Sequence, residues 1–440
     1  MLHGDVVPES ARGNFRLTTQ YTQERCLKST KRGYNFNIDS YIIYNFIYLF
    51  SRVSIEKADS LYYTQIVGRR LRLKTNGEYE MKTKWTPSQA NEWYKKLGWM
   101  RGCNFNGSDC ANRPDMFQKY KSGEKLATAD KELALCGEIG FNSVRLWADF
   151  ETYYQEPESY MEIFDKYIGL CAKHGLKVMV VLTHEEHLFR GDKFVPKKLG
   201  EQPMALGYHQ NFYPLTEEEL KQKPYHYAEY AETKDKFWEM IRRTVRRYAN
   251  DERVFCWNVY NEPGNGLPSE QATAILKELF EVVRAEDPAQ PLTADIWRGV
   301  DDDGNPTTEE ERLALELSDV ISFHHYVSYE KMVKTISCLK KTGRPVFCTE
   351  WLHRIMHNNV FEMYPLFYVT DVGNYCWGFV AGKMQTYEPW EVFWEKQQNG
   401  EADKYDFTKW QHDLFRPNLR PYDPKEIDLI KRINAFADKK

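Results

Sequence analysis

From residue 81 onward, short apolar runs alternate with longer amphipathic stretches, an order typical of strands and helices in parallel βαβ units. The apolar runs predict eight strands, at residues 99–106, 143–148, 177–184, 254–260, 291–297, 320–326, 345–351 and 374–380. The amphipathic stretches predict helices at residues 129–139, 160–174, 228–248, 269–285, 309–315, 329–341, 358–371 and 425–437. This order predicts an α/β fold, a (β/α)8 TIM barrel over residues 81–440.

The connections between these elements support the same register. Gly140, Gly175 and Gly343 each lie between a predicted helix and the next strand, where a left-handed C-cap turns the chain back. Long loops follow the third and eighth strands, at residues 185–227 and 381–424, and are long enough to wall a cleft. They carry the aromatic residues Tyr208, Phe212, Tyr213, Tyr387, Trp390, Trp394 and Trp410.

The first 80 residues differ from the rest of the chain. They mix basic, Tyr-rich and Asn-rich stretches, and no periodic pattern there continues beyond residue 80. Residues 1–80 are interpreted as an atypical N-terminal extension, either poorly ordered or a mis-assigned start, because the stretch from Met81 reads as a natural start with a capped helix at residues 86–96. The apolar run at residues 41–50 is too short to span a bilayer, so no membrane partner is expected.

The composition limits which classes of binding partner and which cellular compartment are expected. The net charge is −4 and no Lys/Arg cluster dominates a long segment, so nucleic acid is not an expected partner. Nine cysteines without a CxxC pair predict neither a zinc knuckle nor a disulfide scaffold. The first residues lack the basic and apolar regions of a secretory signal, so a cytoplasmic location is expected. Twelve Trp residues supply flat rings that suit the faces of sugars.

Two glutamates end two of the predicted strands. Glu262 ends the fourth, in FCWNVYNEPGNG, and Glu350 ends the seventh, in RPVFCTEW. The carboxyl ends of barrel strands meet at one mouth, where barrel active sites lie. Hydrolysis of a glycosidic bond with retention needs two carboxyl groups roughly 5–5.5 Å apart. The pattern therefore predicts Glu262 as general acid/base and Glu350 as nucleophile, with Arg145 of the second strand keeping Glu350 ionised.

Further polar and aromatic residues at the strand ends are candidates for binding substrate. No cofactor or metal is expected, because His184-Glu185-Glu186-His187 lacks the histidine at i+4 that a zinc helix needs. Adjacent strand residues face opposite sides, so only His324 of the His324-His325 pair is expected in the site. The candidate substrate-binding residues are Asn106, Arg145, His184, Asn261, Trp297, His324, Tyr326 and Trp377.

Over about residues 81–440 the sequence resembles the cellulase-like family five glycoside hydrolases, which belong to the retaining clan of barrel enzymes. The likeness lies in Asn261-Glu262-Pro263 and in the Glu that ends strand seven. It is closer still to a bacterial subgroup labelled putative xylanases, through GCNFNGSD, CWNVYNEPGN, ELSDVISFHHY, WGFVAGKMQT and DLFRP, whose members begin near Met81. The resemblance implies an acid/base at Glu262, a nucleophile at Glu350, a sugar 2-hydroxyl contact at Asn261, a frame around the nucleophile from His324 and Tyr326, the family's strand-two arginine at Arg145, and a sugar floor at Trp377.

The expected activity is hydrolysis of β-linked glycosides or oligosaccharides, with carbohydrate as the partner. Two alternatives use the same residues: a transglycosidase, and a barrel that binds carbohydrate without cleaving it. A metal-dependent amidohydrolase would require a His-x-His after the first strand, which GCNFNGSD does not contain. The identity of the sugar, internal or terminal cleavage, and the oligomeric state stay open because specificity depends on the loops.

Overall fold

The computed structural model describes residues 83–185, 189–190, 194–210, 222–301, 305–401 and 404–439. These residues belong to one compact unit, residues 81–440. The predicted extension at residues 1–80 lies outside the described residues. No helix in the described ranges combines the length and the apolar character needed to cross a membrane.

Eight parallel strands close into a barrel in chain order, and the last pairs with the first. They are β1 (Arg101–Asn104), β2 (Ser143–Trp147), β3 (Lys177–Val181), β4 (Val254–Tyr260), β5 (Leu292–Ile296), β6 (Ile321–His324), β7 (Val346–Trp351) and β8 (Gly373–Cys376). Their residues are buried almost throughout, as expected for strands covered on both faces. The predicted (β/α)8 fold is therefore confirmed.

Helices surround the barrel and connect its strands. Those in and around the predicted positions are Ser122–Glu138, Pro157–Lys173, Lys234–Tyr248, Ser269–Ala285, Glu309–Leu317, Tyr329–Lys340, Val360–Val369 and Pro424–Ala437. Three short helices, Arg113–Phe117, Phe150–Gln155 and Glu391–Lys396, lie in loops where no helix was predicted. Gly140, Gly175 and Gly343 have φ of 83°, 73° and 70°, the left-handed conformation expected at these junctions.

Several predicted element ends were wrong, for a physical reason visible in the hydrogen bonds. The predicted strand at 177–184 stops at Val181, and His184 meets the neighbouring chain only through an isolated bridge to Asn261. The predicted helix at 228–248 begins at Lys234, because the residues before it form a turn in which Thr233 Oγ1 donates to the Tyr227 carbonyl. Apolar pattern alone does not separate a strand from the extended chain that comes after it.

The helix Pro87–Leu97 closes the amino-terminal end of the barrel. Thr86 and Gln89 form a capping box at its start, which confirms the helix predicted at residues 86–96. Its Trp93 ring stacks on Phe255 near the start of β4, with 6.2 Å between centroids. Tyr94 packs edge-on against Phe347 near the start of β7 at 5.4 Å. Aromatic rings therefore fill this end of the barrel.

The long loops expected after the third and eighth strands are present. The first separates β3 from the helix Lys234–Tyr248, and the second separates β8 from the helix Pro424–Ala437. A small antiparallel pair, Phe189–Arg190 with Pro224–Tyr225, lies within the first loop. The eight cysteines among the described residues are buried and unpaired, and their thiols behave as small core groups.

Candidate active site

The two predicted glutamates meet at the carboxyl-terminal mouth of the barrel. Glu262 lies two residues beyond β4, and Glu350 is the fifth residue of β7. One carboxylate oxygen of each lies with a ring nitrogen of His324 in a cluster whose atoms are all within 4.8 Å of one another. This spacing matches the short carboxyl separation that retaining glycoside hydrolysis requires rather than the wider gap of inverting enzymes.

Arg145 of β2 is fully buried and connects four residues at the base of the site. Its Nη1 donates to Glu350 Oε1 at 2.7 Å and to Asn104 Oδ1 at 2.9 Å. Its Nη2 donates to Asn261 Oδ1 at 2.7 Å and to Asp295 Oδ2 at 2.8 Å. Burial opposes the charge of Arg145, but Asp295 and Glu350 outweigh it and raise its pKa. A permanent cation therefore lies against the Glu350 carboxylate.

His324 at the end of β6 lies among three carboxylates. Its Nδ1 is 2.7 Å from Glu262 Oε1 and 3.5 Å from Glu350 Oε2, and its Nε2 is 3.3 Å from Asp295 Oδ2. Burial alone would lower the pKa of this ring. The charges of Glu350 and Asp295 outweigh that effect and raise the pKa of His324 to about 10. His324 is therefore an imidazolium at neutral pH, and both of its nitrogens are donors.

Asp295 of β5 completes this buried network. It has no exposure to solvent, and besides its ion pairs it accepts hydrogen bonds from Asn258 Nδ2 at 2.7 Å and Thr349 Oγ1 at 2.9 Å. Burial would raise the pKa of Asp295, but the cations His324 and Arg145 lower it below its ordinary value. Asp295 is thus a fixed negative charge that balances the two cations.

Tyr326 and Asn261 flank the two glutamates. Tyr326 Oη donates to Glu350 Oε2 at 2.8 Å, and burial with the Glu350 charge raises the pKa of Tyr326, so the phenol keeps its proton. Asn261 uses Oδ1 to accept from Arg145, while its buried Nδ2 makes no hydrogen bond within the described residues. A buried amide donor of this kind is available to a bound ligand.

The loop that carries Glu262 is held by a buried carboxylate, Glu185. Its Oε1 accepts from Tyr260 Oη and the Gly264 amide, both at 2.7 Å. Its Oε2 accepts from the amides of Gly266 at 2.6 Å and Leu267 at 2.7 Å. Burial raises the pKa of Glu185 despite these donors.

Glu262 itself has a φ of 44°, a left-handed conformation that is uncommon for a residue with a side chain. Such strain persists only where surrounding contacts hold it, and the anchored loop supplies them. Trp297 adds a further contact, because its indole Nε1 donates to the Pro263 carbonyl at 3.1 Å. Trp297 therefore holds the loop after β4, next to Glu262.

Aromatic rings line the β2 and β8 side of the mouth. The rings of Trp147 and Trp377 are 5.8 Å apart and edge-on. Arg113 lies 4.1 Å from the Trp147 ring centroid, and its Nη1 is 2.9 Å from His184 Nε2. His184 thus lies at the mouth beside Trp147, at 5.6 Å, and is oriented by Arg113.

Asn106, which was expected to contact substrate or a neighbouring loop, bonds within its own loop. Its Nδ2 donates to the carbonyls of Gly107 at 3.2 Å and Cys110 at 3.5 Å. Asn104, two residues earlier, is the strand-one residue that reaches Arg145. Both Asn104 and Asn106 line a cavity at the mouth, so a substrate contact at Asn106 stays a prediction.

Some aromatic residues of the two long loops border the site, and others pack within a loop. Trp390 lies at 5.4 Å from the ring of Tyr326, so it borders the site. Tyr208 lies 6.1 Å from Trp390. Three others pack within the loop after β8, as the pairs Tyr387–Trp410 and Trp394–Phe407. Phe212 and Tyr213 lie outside the described residues.

Four residues of the site were missed by sequence reasoning: Asn104, Arg113, Glu185 as an anchor, and Asp295. Asp295 had a usable signal, a charged residue inside the apolar run LTADIW. Arg113 and Glu185 had none, because their partners come from other loops.

Glu262, His324 and Glu350 are also the residues whose spacing would fit a metal ion. The charges around them disfavour that use. Glu350 already pairs with Arg145, and the His324 ring is protonated, whereas a metal ligand must present a neutral imidazole.

A barrel mouth with paired glutamates, a buried arginine and flanking tryptophans defines a glycoside hydrolase of the barrel type. The family model of cellulase (glycosyl hydrolase family 5) matches residues 102–365, more than half of the chain. The chain therefore belongs to glycosyl hydrolase family 5 and is an O-glycosyl hydrolase that acts on carbohydrate.

Several solved structures are similar to this chain at low sequence identity. One is GH5_18 from Streptomyces cattleya in complex with GlcNAc, with 14% identity, a TM-score of 0.48, and coverage of 78% of this chain and 80% of that one. An endo-beta-1,4-mannanase from Thermotoga petrophila has 12% identity, a TM-score of 0.47, and 77% coverage of both chains. An endo-1,4-beta-mannanase from Rhizomucor miehei has 15% identity, a TM-score of 0.47, and coverage of 78% and 96%. No curated protein matches the sequence.

Proposed function

We propose that this protein hydrolyses β-linked glycosides or oligosaccharides with retention, by double displacement at Glu350 and Glu262. The observation that carries the proposal is the clustering of both carboxylates within 4.8 Å at the barrel mouth. Arg145 and Tyr326 each hydrogen-bond one oxygen of Glu350, at 2.7 and 2.8 Å. These contacts hold the carboxylate ionised and in place for attack on the anomeric carbon.

In the first step, Glu350 forms a covalent bond to the anomeric carbon while the glycosidic oxygen takes a proton from Glu262 and leaves. In the second step, Glu262 removes a proton from water, whose oxygen attacks the same carbon and releases Glu350. His324 Nδ1 lies 2.7 Å from Glu262 Oε1, and this hydrogen bond orients the acid/base. The Nδ2 of Asn261, which makes no bond among the described residues, is available to the sugar.

Mechanism-based labelling tests the nucleophile. A 2-deoxy-2-fluoro β-glycosyl fluoride should inactivate the enzyme and leave one glycosyl group on the peptide that contains Glu350. Glu350→Gln should remain unlabelled. Labelling of a different carboxylate, or inactivation without a covalent adduct, would overturn the assignment of Glu350.

Azide rescue tests the acid/base. Glu262→Ala should keep activity on aryl glycosides with good leaving groups, and added azide should raise turnover and yield a β-glycosyl azide. Tyr326→Phe is the matched control, because it removes a polar group from the same site without removing an acid/base. If azide does not stimulate Glu262→Ala, Glu262 does not have the proposed role.

The same residues would also serve a transglycosidase, in which a sugar replaces water in the second step. Products formed with and without an excess of sugar acceptor separate these activities. A barrel that only binds carbohydrate is excluded by any turnover of an aryl glycoside.

A further inference from the structure

A cavity lies at the mouth of the barrel among the loops that follow β1, β2 and β8. Its lining includes Trp147 and Trp377, the two rings at the mouth, together with Asn104. Asn104 and Glu350 bind the same nitrogen of Arg145, so Arg145 connects a residue that lines the cavity with the proposed nucleophile. The loop after β8 completes the wall with Thr386 and Asp413.

The proposed reaction indicates which part of the substrate would lie on the side of this cavity. Glu262 protonates the leaving oxygen, so the leaving group departs on the side of β4. The sugar that becomes attached to Glu350 therefore extends the other way. In a closed eight-stranded barrel the side opposite β4 is that of β8 and its neighbour β1, where the cavity opens.

Asp413, which lines this cavity, has one carboxylate oxygen without a hydrogen-bond partner among the described residues. The residue is 1% exposed. Its Oδ2 accepts from Thr386 Oγ1 at 2.7 Å, whereas its buried Oδ1 makes no hydrogen bond within the described residues. Buried polar atoms are rarely left unpaired, because each costs about 1–3 kcal/mol.

The surrounding residues fix the position of Asp413 Oδ1 next to Trp377. A Cβ at Gly378, the residue after Trp377, would lie 2.6 Å from Asp413 Oδ1, so only glycine leaves room for the carboxylate. Asp413 also has a φ of 57°, a strained conformation of the kind that occurs at functional sites.

The cationic side chain near Asp413, that of Arg354, hydrogen-bonds to other groups. The guanidinium of Arg354 donates to the carbonyls of His412 and Asp413 and to the carboxylate of Glu426. Burial raises the pKa of Asp413 to about 7, against the opposing effects of Thr386 and Arg354. A donated hydroxyl would satisfy Oδ1 without adding a charge to the cavity.

We propose that this cavity receives the glycone and that Asp413 Oδ1 accepts a hydrogen bond from one of its ring hydroxyls, which makes Asp413 a specificity-determining residue. The inference rests on the proposed function, because the direction of the glycone depends on the role of Glu262. The chemical class recognised is a sugar with a free hydroxyl at the position that meets Oδ1.

A thermodynamic cycle that combines enzyme variants with substrate analogues tests this contact. The parent substrate is whichever 4-nitrophenyl β-glucoside, β-mannoside or β-xyloside the wild type cleaves fastest, and its analogues each lack one ring hydroxyl other than the 2-hydroxyl. For one analogue, kcat/KM of the wild type should fall by about 10- to 100-fold, the value of a hydrogen bond to a charged group. In Asp413→Asn, kcat/KM should fall much less for that analogue than it does in the wild type. For the other analogues the change in kcat/KM should be the same as in the wild type.

Asp319→Asn is the matched control. Asp319 is a fully buried carboxylate near the start of β6, paired with Arg284 at the far end of the barrel. Asp319→Asn should lower the stability of the fold without changing which missing hydroxyl lowers kcat/KM. The proposal is overturned if Asp413→Asn responds to every analogue as the wild type does. It is also overturned if the wild type itself is indifferent to all of them, a result that does not depend on the folding of any variant.

The two proposals fail in different ways. If the fluoro-sugar does not label Glu350 of the wild type, the proposed function fails before Asp413 is considered. If Glu350 is labelled in both the wild type and Asp413→Asn while their hydroxyl preferences are the same, only the role of Asp413 is wrong.

Discussion

His324 donates from Nδ1 to Glu262 Oε1 at 2.7 Å, so a buried cation lies in direct contact with the proposed acid/base. The ring also contacts Asp295 and Glu350, and these charges hold its pKa near 10. The proton on this ring therefore contributes both to stability and to the protonation state of the site.

The raised pKa of His324 predicts a pH-dependent stability. The ordinary pKa is 6.5 and the folded value is about 10, so the folded state binds this proton more tightly. That stabilisation is fully present below pH 6.5 and is lost as the pH rises through 10. We expect the free energy of unfolding, measured with urea, to fall between pH 7 and 10 with a contribution of up to about 1.4 kcal/mol per pH unit.

His324→Asn should remove this contribution. His325→Asn is the matched control, because burial lowers the pKa of His325 to about 4, outside that range. Parallel stability curves for the wild type and His324→Asn between pH 7 and 10 would contradict the charge assigned to His324.

Asp295 should act on activity through the two cations that it holds. Asp295→Asn removes the negative charge beside His324, so the pKa of His324 should fall and the alkaline limb of kcat/KM should move to lower pH. Thr349→Val is a suitable comparison, since it removes a hydrogen bond to Asp295 Oδ1 without changing its charge. An unchanged alkaline limb in Asp295→Asn would show that this charge does not set the protonation of the site.

Glu185 should position Glu262 through the backbone. Glu185→Gln replaces a carboxylate that accepts four hydrogen bonds with an amide that has one acceptor oxygen. We expect a loss of about 1–3 kcal/mol in the free energy of unfolding. Turnover should fall more than KM rises, because the residue that moves is the proposed acid/base.

Tyr260→Phe removes only one of those four bonds and should have a much smaller effect on turnover. If Glu185→Gln loses stability but keeps the turnover of the wild type, Glu185 stabilises the loop without positioning Glu262.

Gly102 should be essential to barrel closure between β1 and β2. A Cβ there would lie 1.8 Å from the backbone oxygen of Ser143, which cannot move without breaking the strand pair. Gly102→Ala should therefore cost at least the roughly 1–3 kcal/mol typical of overpacking, measured by thermal or urea unfolding. Gly123→Ala, in the helix Ser122–Glu138 with nothing within 4 Å of the added carbon, should be tolerated. Equal stability of the two variants would refute the steric argument.

The sequence carried enough local information to predict the barrel and its two glutamates. Alternating apolar runs and amphipathic helices are local patterns, and the ends of consecutive parallel strands necessarily meet at one mouth. That rule places Glu262 and Glu350 at the same mouth, and the need for two carboxyl groups singles them out among the strand-end residues. The extension at residues 1–80 and the cytoplasmic location stay predictions.

Tertiary structure decided which residues complete the site. Arg145 binds Asn104 rather than Asn106 because the register of β1 against β2 brings Asn104 level with it. Asp295 becomes a counter-charge only where β5 lies beside β6. Register and the pairing of neighbouring strands depend on the closed sheet as a whole, and no local window of sequence contains them.

Loop contacts were the least predictable part. Glu185 binds amides about 80 positions later in the chain, and Asp413 lies against Gly378 from a separate part of the loop after β8. Periodicity describes regular elements, whereas these contacts arise from where irregular segments fold back over the barrel. The sequence by itself thus determined the scaffold and its two carboxylates, and folding decided their electrostatic surroundings and the cavity beside them.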